Sequence, residues 1–210
     1  MANESKALAL VKSILNQGIN GVPPILPSAT AFADSFMDYD CWKNINCKEN
    51  VVRKMIKRRC FENFLTGTVT SLGGVITLPV NIIASLGASW VIQANLAAAI
   101  AYVYEHDLRD DHIRTAVLLS ILGDSAAQVL KKAGVKITEK ALYKAISKIP
   151  GKVLIEINKK VGFRLLTKAG EKGVINLVRG IPIAGAIVGG TVDAVICNQV
   201  GKMANKLFHP

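Results

Sequence analysis

The chain has 210 residues, a formal net charge of +11, 50% hydrophobic residues and only 6% aromatics, with a mean hydropathy of +0.33. That length suits one domain, and the absence of a Ser/Pro/Gly-rich linker supports reading residues 1–210 as a single unit. Apolar content drawn from Ala, Ile, Leu and Val favours close-packed helices over aromatic-rich strands, and four cysteines without a Cys-x-x-Cys pair argue against a zinc site.

Taken in order, Ala2 to Gln17 predicts a helix, with Leu8, Val11 and Leu15 on one face. Its opening residues lack the basic and continuous apolar regions of a secretory signal, so a cytoplasmic location with free thiols is expected. Cys41 and Cys47 stand close enough in sequence to approach each other. Gly21, Pro23, Pro24 and Pro27 break the first helix. Ser28 is a candidate N-cap for a second helix to about Tyr39, with Ala29, Phe32, Ala33 and Phe36 inward. Lys48 to Phe64 predicts a third, whose apolar face is interrupted by Arg53, Lys54, Lys57, Arg58 and Arg59.

From Asn63 to Tyr104 there is no charged residue. The five cations precede this stretch, and Glu105, Asp107, Asp110 and Asp111 follow it. Cations at the front edge of an apolar stretch match the positive-inside bias of membrane segments. The stretch divides at Pro79. Its first half carries Gly73 and Gly74 as candidates for close helix contact; a phosphate-binding loop is disfavoured, because no Gly-Lys-Ser/Thr ending follows. The second half, Val80 to Tyr104, would extend roughly 37 Å as a helix, against a hydrocarbon core of ~30 Å. Asn81, Ser85, Ser89 and Gln93 make one small, neutral stripe along it. Such a helix is expected to be enclosed, by protein alone or by lipid and protein together.

His106, Asp107, Asp110, Asp111 and His112 crowd one turn. The plain reading is a polar turn with Asp110 or Asp111 capping a helix that runs to about Leu122, in preference to a metal site. Ser125 to Lys132 predicts another helix. Lys132, Lys136, Lys140, Lys144, Lys148 and Lys152 then recur every four residues, interrupted at Pro150-Gly151. Between Lys131 and Arg179 there are 13 Lys/Arg and three acids, a local balance of +10. Such basic segments lie on anionic membranes, or serve as ordinary surface helices. Gly162, Gly170, Gly173 and Gly180 are expected to punctuate short helical pieces. Gly185 and Gly189 have the spacing for close helix contact, and Asp193, the sole charge between Arg179 and Lys202, is expected to be a buried anchor, with membership of a polar path as the alternative.

Several of these segments resemble the EcsC family of bacterial proteins. The matching pieces are Thr66-Gly67, Leu72-Gly73-Gly74-Val75-Ile76-Thr77-Leu78-Pro79, Ala101-Tyr102, Leu122-Gly123, Asn158 to Phe163, Thr167 to Gly173, and Ile181 to Asp193. The resemblance spans about residues 3–208. It implies a helical, membrane-related protein linked to transport or secretion, and it carries no catalytic motif.

The expected fold is therefore all-α, a compact multi-helix bundle around a central apolar helical hairpin. The expected function is non-enzymatic membrane association at the cytoplasmic face, peripheral or inserted. Anionic lipid would be bound through Arg53, Lys54, Lys57, Arg58, Arg59, Lys136, Lys140, Lys144 and Lys148, with the 64–104 hairpin as a candidate for insertion. The alternative is a soluble module that binds an acidic protein partner in a transport or secretion system. No cofactor is implied, no nucleophile, base or metal spacing points to an enzyme, and the charge comes without a nucleic-acid-binding module.

Overall fold

The computed structural model describes residues 2–71, 86–123, 125–135, 146–178 and 182–210, and within them the side-chain surroundings of 4–65, 89–123, 125–135, 146–167 and 191–210. Among the described residues the architecture is all-α: α1 (Ala2–Asn20), α2 (Ala29–Asp34), a 3-10 turn (Tyr39–Lys43), α3 (Ile45–Ser71), α4 (Leu86–Val103), α5 (Asp111–Leu122), α6 (Ser125–Lys132), α7 (Gly151–Val178) and α8 (Pro182–Phe208).

Local chemistry sets the helix starts. Ser28 Oγ accepts the amide of Ala31 at 3.1 Å and opens α2, while Ser35 Oγ donates to the Phe32 carbonyl at its end. That end comes earlier than Tyr39, because the chain turns at Ser35 and Phe36 into the 3-10 segment. Asn44 Oδ1 accepts from the amides of Asn46 and Cys47 and so caps α3. α5 starts as expected, with Asp110 Oδ1 accepting the His112 amide at 2.7 Å. It stops at Gly123, whose φ of +54° suits glycine.

Several expectations need correction. α3 does not stop near Phe64 but continues to Ser71, since the Thr and Ser residues there are compatible with a helix already propagating. α7 is one helix of 28 residues that runs straight through Gly162, Gly170 and Gly173. Gly162 is not punctuation: a Cβ at that position would collide with the carbonyl of Ala7 on α1. It lets two backbones touch. Cys41 and Cys47 are not free thiols but a disulfide, because the 3-10 turn folds their Cα atoms to 5.2 Å.

α4 is the hub of the bundle, packing against α1, α2, α3, α5 and α8. Ala94, Leu96, Ala97, Ala98, Ala99, Ile100, Ala101 and Val103 are wholly buried. Its small residues allow close neighbours: a Cβ on Gly18 of α1 would stand 2.5 Å from Ala94 Cβ. The largest interface joins α3 to α8, and α7 closes the far side against α1, α5 and α6. The turn after α4 clasps the end of α8. Tyr104 donates its hydroxyl proton to Asn205 Oδ1 at 2.6 Å, and His106 Nε2 lies 2.9 Å from the Phe208 carbonyl.

Candidate functional site

Two faces of α3 carry the features that bear on function. Its inward line is Val51, Met55, Arg59 and Asn63, four residues apart and all buried. The first two are apolar and fill the core; the last two continue the same line with polar groups. Arg59 is only 3% exposed. Its Nη2 donates to Asn95 Oδ1 on α4 at 2.6 Å, its Nη1 donates to Glu62 Oε2, and its guanidinium carbon stacks 3.6 Å from the centroid of the Phe32 ring. Burial pulls the Arg59 pKa down from its ordinary value, while Glu62 opposes that shift. Asn95 extends the network, donating to the carbonyls of Gly18 at 2.8 Å and Pro27 at 2.9 Å. One amide thus ties α3 and α4 to the end of α1 and to the proline loop.

Arg59 was expected on the lipid side with its neighbours. Its burial contradicts that placement, and the reason is periodicity: four residues after Met55, it must follow Met55 into the bundle.

The outward face holds Arg53, Lys54, Lys57 and Arg58, all exposed. On the next turns of that face stand Phe61, 57% exposed, and Leu65, 46% exposed. Arg53, Lys57, Phe61 and Leu65 fall four apart, a stripe of about 18 Å that is cationic at one end and apolar at the other. Arg53 pairs loosely with Glu49 at 3.6 Å, and Arg58 donates from Nε to Glu62 at 2.7 Å. α7 presents a second mixed surface, with Ile155, Phe163 and Leu166 exposed beside Lys152 and Lys159.

Between α3, α2, the proline loop and α4 lies a cleft of about 810 Å³. Its walls are largely apolar, with Ile25, Phe36, Leu65 and Val91 among them, and Arg58, Arg59 and Glu62 line it together from α3.

The remaining sequence candidates are placed as follows. Lys148 is exposed in a turn before α7. Lys136, Lys140, Lys144, Gly73 and Gly74 lie outside the described residues, as does the Val80–Ser85 start of the apolar helix. Gly185 and Gly189 are both within α8. Asp193 is half-buried where a buried anchor was expected, and its carbonyl accepts from Asn63 Nδ2 at 3.1 Å. The His-Asp turn serves structure: His112 Nδ1 is 2.9 Å from Asp110, and His112 Nε2 is 3.0 Å from the Ile149 carbonyl. Among the described residues, no group of three or more His, Cys, Asp or Glu side chains is placed to hold a metal. The Arg59–Asn95 network was not anticipated. Its signal was the register of Arg59 with Val51 and Met55.

These features define an all-α bundle with a buried polar clasp and an exposed basic-apolar helix face. The chain matches the model of the EcsC protein family over residues 33–209 and belongs to that family. α1 therefore precedes the matched region, although it packs on α4 and α7. No curated protein and no solved structure shows a significant match.

Proposed function

We propose that this protein acts by binding, without catalysis, and that it docks peripherally on anionic membrane lipid through the outer stripe of α3, with exposed Lys148 as a further cation. The observation that carries this reading is the order of residues on α3, with Arg53, Lys54, Lys57 and Arg58 followed by exposed Phe61 and Leu65. Cations attract acidic head groups, and an aromatic and an aliphatic side chain one turn further gain from entering the interface.

Insertion of the 64–104 hairpin forms no part of the proposal. The described portion of its second arm is the centre of the bundle. Among the described residues no helix is long and apolar enough to cross a membrane. Withdrawing α4 would also strand the hydrogen bonds of Asn95.

Co-sedimentation with lipid vesicles tests the proposal. Vesicles of neutral phosphatidylcholine should leave the protein in the supernatant, and those with added phosphatidylglycerol should pellet it at low salt and release it at high salt. Failure to bind the anionic vesicles at low salt would sink it. A second reading then gains ground: a module that binds an acidic protein partner of a transport or secretion system, favoured by the enclosure of α4.

A further inference from the structure

The cleft between α3, α2, the proline loop and α4 has features that a flat docking face does not need. It is concave, and its volume of about 810 Å³ falls within the ~300–1,000 Å³ of ligand pockets. Its lining is mostly apolar, with Ser35 from α2's end and the Arg58, Arg59 and Glu62 group from α3 as its polar members. Two cations against one carboxylate leave that group with one surplus positive charge. Arg59 adds a chemical demand. Its Nη1 and Nη2 are engaged, but its Nε–H is buried without an acceptor. Glu62, the partner of Arg59, is shared with Arg58, so the two cations meet a single carboxylate at the cleft wall.

An occupant that satisfies these features has a long apolar body and an acidic end. We propose that the cleft binds one molecule of a single-tailed anionic amphiphile, a long-chain carboxylate or its phosphate counterpart, with its acid group at Arg58 and Arg59 and its chain along Ile25, Phe36 and Val91. The ligand is taken up as a monomer from solution, so this inference is separate from docking on a bilayer.

The test uses the full chain and a dansyl-labelled undecanoic acid below its micelle concentration, compared with the methyl ester of the same probe. The acid should bind saturably at one per chain and be displaced by hexadecanoate or by hexadecyl phosphate; displacement by one of the two alone identifies which head group the site takes. The ester should bind at least tenfold more weakly, since it lacks the charge-assisted hydrogen bonds. Arg58→Gln should weaken the acid about tenfold and leave the ester unchanged. Ile25→Trp, at an exposed wall position, should weaken both probes at least tenfold by filling the cleft. Circular dichroism and thermal melting confirm that each variant is folded.

Equal binding of acid and ester, non-saturable uptake, or indifference to Ile25→Trp would each overturn the proposal. Capture of the acid only within anionic vesicles would overturn it while leaving the α3 surface reading in place. Saturable monomer binding without vesicle binding would support the cleft and remove the surface reading. A concentration-dependent dimer that Ile25→Trp abolishes, with no uptake of the acid, would assign the cleft to a second copy of the chain instead.

Discussion

α3 and α4 lie against each other yet solve opposite problems. α4 has no charged residue and packs against α1, α2, α3, α5 and α8. α3 carries a dense run of cations and keeps its polar and apolar residues on both faces: Arg59 and Asn63 are inside, while Phe61 and Leu65 are outside. An uncharged helix in a basic protein is thus a core helix here, and the residues suited to a membrane surface sit on the helix that looks more polar. Absence of charge reports burial. Apolar side chains on a charged face are the groups that the proposed docking would use.

The contact between these two helices is where that comparison breaks most sharply. Asn95→Ala removes the acceptor of Arg59 and the donor to two backbone carbonyls, leaving a buried cation under-satisfied. We expect a loss of about 3–5 kcal/mol, read from urea unfolding. Arg59→Met should cost far less, because it removes the buried charge together with its need for partners. A similar cost for both variants would show that the polar clasp contributes no more than its packing.

On the outer face the expectation reverses: stability is unmoved and binding changes. Lys54 and Lys57 are exposed and have no acidic partner within 4.0 Å among the described residues. Lys54→Gln with Lys57→Gln should leave the unfolding midpoint unchanged and weaken anionic vesicle binding by roughly thirtyfold, at about 1 kcal/mol per cation. Phe61→Ser should weaken binding while preserving its salt dependence. If both substitutions leave binding intact, α3 is an ordinary solvated helix.

Much of this division was legible in the sequence, and the failures share a physical cause. The caps at Ser28 and Asp110 and the inward face of α1 follow from spacing and side-chain chemistry that act within a few residues. Gly162 and Arg59 were misread because composition alone classed them, one as a breaker and the other as a surface cation. Their roles depend on what stands opposite them, Ala7 for one and Asn95 for the other. The Cys41–Cys47 disulfide likewise depends on the turn between the two cysteines. The cleft could not have been read at all, since it gathers residues from four separate segments.

Backbone contact offers a smaller effect that separates close packing from mere helix breaking. Gly162→Ala places a methyl against the Ala7 carbonyl, which cannot move without shifting α1. Overpacking of this kind costs about 1–3 kcal/mol, and the helix-propensity gain of roughly 1 kcal/mol offsets part of it. A net loss of up to about 2 kcal/mol is expected. At Gly201→Ala the nearest atoms are side-chain carbons of Ile56 and not backbone, so its loss should be smaller. Equal values at the two sites would remove the argument that α1 and α7 touch through their backbones.

The smallest effect concerns the turn that follows α4. His112 Nδ1 faces the Asp110 carboxylate and Nε2 faces the Ile149 carbonyl. Both contacts are acceptors, and only the imidazolium has a proton on each nitrogen to donate. The hydrogen bond His112 donates to Asp110, joined by the one it donates to the Ile149 carbonyl, raises the His112 pKa against the opposing effect of burial. Asp110 is shifted the other way, its pKa lowered first by the His112 amide it accepts. For a group whose folded pKa is raised, the stabilisation is complete below the unfolded value of about 6.5 and is lost as pH rises through the folded value. For Asp110 the contribution is complete above about 3.9 and is lost as pH falls through its lowered value. The pair is therefore most stabilising between about pH 4 and 6.5. Urea unfolding from pH 5.5 to 8 should show the wild type losing stability relative to His112→Asn as pH rises. Parallel curves for the two proteins would mean that the imidazole contributes nothing by its charge, and that the hydrogen bond from the His112 amide to Asp110 holds this turn alone.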